Sequence, residues 1–253
     1  MAVRFVIVGG GPAGNQAATY AARLGAEVVL VERDIVGGAA HLWDCIPSKT
    51  MIATGGAMSF FRRAEGMGLD VDAALDRDSL KGRVDRIEER LHRAVVELLT
   101  SQSVRLIEGA ARLKGPNQVV VETATGVEEL EADAIQLSTG SRPRVPEWCV
   151  PDGNRILTTR DCYPPPEIPE HAVVVGSGVT GVEFVHMLSS LGSKVTLIVS
   201  RQQVLPTKDP EVAAALEADF LARGVSLLKG ARAVGIDLVD DRVTVRCDDG
   251  RQV

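Results

Sequence analysis

The sequence predicts an α/β protein with parallel sheets, and three observations point that way. Two β-branched runs, 4–8 and 172–175, lack period-two alternation, as expected of strands covered on both faces. Each run enters a turn of the form GxGxxG and then a helix-favouring segment. The two copies share one spacing, since 178 minus 11 places Gly178 167 positions after Gly11, so one design is used twice.

Taken in order, the first copy reads as strand 4–8, a glycine turn, helix 15–24 and strand 27–32. Helices follow over 47–66 and 79–103. In the latter, Leu80, Val84, Ile87, Leu91, Val95 and Leu98 recur at steps of three and four as a core stripe, with Arg83, Arg86, Glu89, Arg90 and Arg93 opposite. Runs at 104–108, 118–122 and 134–137, separated by turns at 115–117 and 125–126, predict a small β-meander. The proline-rich stretch 143–169 carries the domain boundary, giving domains over 1–147 and 148–253. The second copy then repeats strand, turn, helix 182–191 and strand 194–199, and a further strand is expected over 242–246.

Composition narrows the function. At 253 residues the chain fits one large or two modest domains of about 150 residues each. With 45% hydrophobic and 25% charged residues it has the means to bury real cores. A net charge of −6 without any Lys/Arg block argues against nucleic acid or an anionic membrane as partner. No stretch is apolar enough for a membrane span, and the apolar start runs into a glycine turn where a leader would have its cleavage site, which predicts a cytoplasmic protein. Four cysteines, Cys45, Cys149, Cys162 and Cys247, have no CxxC spacing and no His pair nearby, so neither a disulfide framework nor a metal site is expected.

The glycine turns suggest dinucleotide cradles of the Rossmann type. Gly9 allows a tight turn, Gly11 lets the backbone approach a pyrophosphate and Gly14 permits close helix–strand packing, while unpaired N–H groups at the helix start favour anions. Glu32, 18 residues past Gly14 (32 minus 14), stands at a strand end where a carboxylate can take ribose hydroxyls. Gly176, Gly178 and Gly181 repeat the arrangement, but the following strand ends in Ser200 and Arg201 with no acid. That pair tolerates a 2′-phosphate, so NADPH is allowed beside NADH; an ordinary surface arginine is the other reading.

Four ordered motifs then carry a family resemblance: GGGPAG at 9–14, GGAAHLWDCIPSK at 37–49, STGSRP at 138–143 and GSGVTGVEF at 176–184. Together they resemble the flavoprotein disulfide reductases, over essentially the whole chain. The resemblance implies two Rossmann-like domains of three-layer ββα type, the first binding FAD and the second NAD(P)H. It implies cofactor contacts from Gly9, Gly11, Pro12, Ala13, Gly14, Glu32, Arg33, Gly38, Ala39, Ala40, Lys49, Ala111, Thr139, Gly140 and Ser141 in the first. In the second it implies Gly176, Gly178, Val179, Thr180, Gly181, Glu183, Ser200 and Arg201. Cys45, Lys49 and Glu183 are the catalytic candidates: the sulfur at a helix start before Pro47, and a lysine paired with a glutamate to hold a cation near the flavin.

One departure from the family pattern matters more than the matches. The pattern has two redox cysteines, and the place of the first, five positions before Cys45, holds Ala40. Thiol–disulfide exchange needs a second sulfur to resolve the mixed disulfide. What remains is hydride transfer from NAD(P)H to flavin and onward delivery to an acceptor such as a quinone. Transhydrogenation between pyridine nucleotides, dihydrolipoamide dehydrogenase-like activity, or a non-catalytic nucleotide-binding fragment are the alternatives. His41, Trp43 and Asp44 surround the altered position and either fill space or shape an acceptor pocket. The resemblance also implies that family members continue beyond residue 253 with a further FAD-contacting segment and a dimerisation domain. The chain is therefore expected to be a partial protein with an incomplete FAD domain, weak flavin binding and a homodimeric full-length form.

Overall fold

The computed structural model describes residues 2–42, 44–64 and 67–253. By its contacts the chain divides into two compact units, one of residues 1–47 and 82–142 and the other of residues 48–81 and 143–253.

In the first unit β1 (Arg4–Val8), β2 (Glu27–Glu32), β3 (Arg105–Glu108) and β7 (Ala134–Leu137) form a parallel sheet in the order β3-β2-β1-β7. Successive side chains of β1 serve opposite faces. Ile7 packs with Val28, Leu30 and the alanine-rich face of α1 (Pro12–Arg23), where Ala18 is fully buried, and with Leu99 of α4 (Arg77–Ser101). Val6 and Val8 pack instead with Val31, Val119, Val121 and Leu130. Those last three come from an antiparallel sheet of β4 (Ala110–Gly115), β5 (Gln118–Thr123) and β6 (Gly126–Glu131). Two sheets and a helical layer result, which is why β1 is apolar at each position from Phe5 to Val8, with charge only at the exposed Arg4.

The meander expected over 104–137 takes a different form. Runs 104–108 and 134–137 join the parallel sheet through Val29–Arg105 and Phe5–Ala134 register, and the antiparallel sheet recruits β4 and β6 on either side of β5. In α4 the buried stripe ends on Leu99, with Leu98 exposed. A short helix, α2 (Ala39–Leu42), precedes α3 (Ile46–Ala64), which covers most of the helix expected over 47–66; Glu65 and Gly66 lie outside the described residues.

The second unit repeats the pattern with β8 (His171–Val175), α5 (Val179–Leu191), β9 (Lys194–Val199), α6 (Pro210–Ala222) and β10 (Ser226–Lys229), in sheet order β10-β9-β8. One face carries Leu197, Val195 and Val199 against Val185, Met187 and Phe220, joined by Met51 of α3 and Leu80. The other carries Ile198 against the hairpin β11 (Ala233–Val239) and β12 (Arg242–Cys247) through Ala233, Val245 and Cys247. Met51 and Leu80, from the stretch 48–81, thus share a core with α5 and β9. Among the described residues no helix is long and apolar enough to cross a membrane.

Candidate functional site

In the first unit β1 ends by turning sharply. Gly9 adopts φ +105°, and a Cβ there would lie 2.3 Å from the Ser138 carbonyl oxygen, so only glycine lets the chain from β7 pass this close. Ser138 donates its N–H to the Val8 carbonyl at 2.7 Å, which sets exposed Thr139, Gly140 and Ser141 just after the strand that flanks the turn. A Cβ on Gly14 would fall 1.9 Å from the Gly9 carbonyl oxygen, so α1 can pack here only without a side chain. Gly11 is different: its φ of −71° suits any residue, and a Cβ would meet nothing within 4 Å.

Gly11 is also the N-cap of α1, with no side-chain cap and no acid in the first turn, where Pro12 and Ala13 are exposed. The orphan N–H groups of that turn are therefore open to an anion. Gly38, at φ +58°, presses on Gly11, since a Cβ would sit 2.8 Å from the Gly11 Cα; Ala39 and Ala40 follow it on α2. Gly37 donates to the Gly10 carbonyl at 2.8 Å.

Glu32 is held at this turn by three backbone donors. Its Oε2 accepts the Gly10 N–H at 2.6 Å, and its Oε1 accepts those of Arg33 and Asp34 at 2.8 Å each. A carboxylate has about four acceptor positions, so one on Oε2 is left to take a ribose hydroxyl. The Arg33 side chain turns to Asp34 at 3.3 Å. Ala111 sits on β4 with its methyl against the Val119–Val121 cluster, apart from these contacts.

Two buried polar atoms stand near this turn, one on Asn15, which the sequence does not single out, and one on His41. Asn15, one residue inside α1 from Gly14, has a buried amide oxygen with no hydrogen-bond partner among the described residues. His41 folds over Gly37, whose absent Cβ would lie 1.8 Å from its Nδ1, and that nitrogen is likewise buried without a partner. Burial, with His92 nearby, pushes the His41 imidazole below its usual range. No sequence pattern marks the burial of either atom, because each depends on what the turn brings against it. Asp44 is exposed and donates its N–H to the Ala39 carbonyl; Trp43 lies outside the described residues. Cys45 is exposed and immediately precedes α3.

The second unit repeats the geometry closely. Gly176 takes φ +110°, a Cβ on Gly181 would lie 1.9 Å from the Gly176 carbonyl oxygen, and Gly178, at φ −73°, has nothing within 4 Å of the Cβ it lacks. Gly178 caps α5 without a side-chain bond, and Val179 and Thr180 are exposed in its first turn. Ser200 and Arg201 follow β9, both exposed.

On the same unit the Lys49 ammonium lies 2.7 Å from Glu183 Oε1, and 3.3 Å from the buried Ser48 hydroxyl. Glu183 is held by the second turn of α5 and Lys49 by the first turn of α3, above an apolar floor of Ile52, Tyr163, Phe184 and Met187. The Tyr163 and Phe184 rings, 5.4 Å apart between centroids, brace that floor. The pair spans 134 positions of sequence and fixes a positive charge in place.

All four cysteines are thiols. Burial drives the Cys162 thiol up to about 12, with Asp161 adding to the rise, while its sulfur donates to the Thr158 carbonyl. Burial also raises Cys149 and Cys247, so none of these three is activated as a nucleophile.

Paired glycine cradles of this geometry accord with what known proteins show. The family model described as pyridine nucleotide-disulphide oxidoreductase matches residues 3–253. A protein of Mycobacterium tuberculosis named NAD(P)H dehydrogenase (quinone) is 39% identical over 266 aligned positions, covering 100% of this chain and 54% of that protein. A dihydrolipoyl dehydrogenase of Zymomonas mobilis is 34% identical, covering 94% of this chain and 52% of that protein. The crystal structure of LpdA from Mycobacterium tuberculosis superposes with a TM-score of 0.90 at 38% identity, covering 99% of this chain and 56% of that one. The chain thus spans about half the length of the curated relatives it matches. It belongs to the pyridine nucleotide-disulphide oxidoreductase family.

Proposed function

We propose that this chain supplies the nucleotide-binding units of an FAD-dependent NAD(P)H oxidoreductase whose electrons go to a quinone-type acceptor without an internal dithiol. FAD is assigned to the N-terminal segment 1–147 and NAD(P)H to 148–253. The observation that carries the acceptor class is the residue pair at 40 and 45: an alanine stands where the family pattern has a cysteine, leaving Cys45 as the one thiol of that motif.

When bound, the flavin supplies two-electron acceptance from the nicotinamide and delivery to a second substrate. The residues of this chain do the holding. The N–H groups at the start of α1 receive a pyrophosphate, Gly11 keeps room for it, and Glu32 offers its remaining acceptor to a ribose hydroxyl. The start of α5 does the same for the pyridine nucleotide, with Gly178 in the place of Gly11. Lys49, kept in position by Glu183, contributes a fixed cation where negative charge develops, and such preorganised charge costs no rearrangement at the moment of transfer. The name of the Mycobacterium tuberculosis relative supports the quinone reading.

The test begins with flavin binding at equilibrium: titrated with FAD, the chain is expected to change the flavin's absorbance and fluorescence saturably. NAD(P)H oxidation is then followed with a naphthoquinone, with lipoamide and with glutathione disulfide. Turnover with the quinone alone is the expected result. Efficient reduction of either disulfide overturns the reading, and so does a chain that leaves the flavin spectrum unchanged at every FAD concentration.

A further inference from the structure

Resting on the proposal that the second glycine turn holds a pyridine nucleotide, we infer that Ser200 and Arg201 make that site selective for NADPH over NADH. The two units can be compared residue by residue, because β1 pairs with β2 in the same register as β8 with β9: Arg4 faces Glu27, and His171 faces Lys194. The common offset of 167 puts Val199 in the place of Glu32, Ser200 in that of Arg33, and Arg201 in that of Asp34.

The exchange reverses the electrostatics of the strand end. In the first unit a carboxylate sits there, bonded to the Gly10 N–H, and the neighbouring cation Arg33 is taken up by Asp34. In the second unit the acid is replaced by a fully buried valine. The stretch 200–204 has no acid, and the Arg201 guanidinium has no ion pair or hydrogen bond among the described residues. A carboxylate at the Glu32 position favours a free 2′-hydroxyl and repels a 2′-phosphate, whereas an arginine one turn of loop away favours the phosphate.

The loop that presents this arginine is pinned. The Gly230 N–H binds the Arg201 carbonyl at 3.0 Å, the Val204 N–H binds Glu217 Oε1 at 2.9 Å, and the Leu205 N–H binds the Ser177 carbonyl at 2.7 Å, beside the glycine turn. Glu217, the nearby acid, is already engaged by Lys229 at 2.7 Å. Ser200 and Arg201 therefore face solvent from a preorganised backbone. Their side chains are a donor hydroxyl and a cation without a partner, facing a 2′-phosphate that carries about −1.5 to −2 charges at neutral pH.

Calorimetric titration of the chain with NADPH and with NADH at low ionic strength tests this, with 2′,5′-ADP against 5′-AMP isolating the 2′-phosphate from the rest of the molecule. NADPH is expected to bind about tenfold more tightly, the size of one charge-assisted contact, and the gap should narrow as salt is raised. Arg201→Gln should close most of the gap and Arg201→Lys should keep part of it. NADH binding as tightly as NADPH, or a ratio unmoved by Arg201→Gln, overturns the selectivity while leaving the nucleotide site standing. Binding of neither nucleotide removes the site itself, and the selectivity with it.

Discussion

Gly11 and Gly14 stand one turn apart and are glycines for different reasons. Gly14 is required by the fold, since its missing Cβ would strike the Gly9 carbonyl at 1.9 Å, a backbone atom that cannot swing away. Gly11 is required by nothing in the described protein: its backbone is extended and the space beside it is open. Space kept clear at a helix start is what a pyrophosphate needs. Gly14→Ala is therefore expected to destabilise the chain by about 3 kcal/mol, as overpacking against rigid atoms does, even though alanine is the better helix former. Gly11→Ala should cost no more than about 1 kcal/mol in urea denaturation, the loss expected of alanine at an N-cap, while flavin affinity falls. A Gly11→Ala chain that binds flavin as tightly as the native one would remove the cradle reading. The GxGxxG spacing named these positions from sequence, but which glycine serves the fold and which leaves room for a ligand depends on the atoms packed beside each.

At the scale of the element, what could be read from the sequence was periodicity, and what could not was the partner. In α4 the three- and four-residue steps located the buried stripe, with Leu80 and Val84 both buried, yet the last step fell on Leu98 where the helix buries Leu99. Two adjacent leucines fit a helical stripe about equally well, and the tie is broken only by Ile7, Val28 and Val104, which gather around Leu99. Leu99→Ala should cost about 2–5 kcal/mol in urea denaturation and Leu98→Ala less than about 0.5 kcal/mol. Equal losses would mean that α4 is rotated from the position described. The strands show the same limit: 104–108 and 134–137 resemble the neighbouring meander strands in composition. They differ in pairing across long separations, Val29 to Arg105 and Phe5 to Ala134, and short-range alternation carries no record of such partners.

At the scale of the whole molecule, the repeat at 167 positions disclosed two cradles, but nothing local revealed that residues 48–81 would join the second core through Met51 and Leu80. The same long-range packing buries histidines and fixes carboxylates, and this gives stability a definite pH dependence. His41 and His186 are both held below the ordinary value of 6.5, each chiefly by burial, with His92 opposing protonation of the first and Arg223 of the second. Arg223 Nη1 lies 3.0 Å from His186 Nδ1, and since a guanidinium only donates, that nitrogen must accept and the ring must be neutral. A group whose folded value is depressed binds fewer protons folded than unfolded, so these histidines cost nothing above their unfolded value and lower stability as pH falls through it. The carboxylates act in the same direction further down. Asp133, held low by Arg4, Asp152, held low by the backbone N–H groups of residues 154–156, and Asp249, held low by Arg251, stabilise above the ordinary value of 3.8, and that stability is lost as they protonate below it. The urea midpoint should accordingly drop between about pH 7.5 and pH 5.5 and drop again below about pH 4. His186→Asn keeps an acceptor for Arg223 but cannot titrate, so it should shrink the first drop and leave the second. A midpoint that rises on acidification to about pH 5.5, or a first drop as large in His186→Asn as in the native chain, would show that the Arg223–His186 contact does not set this response.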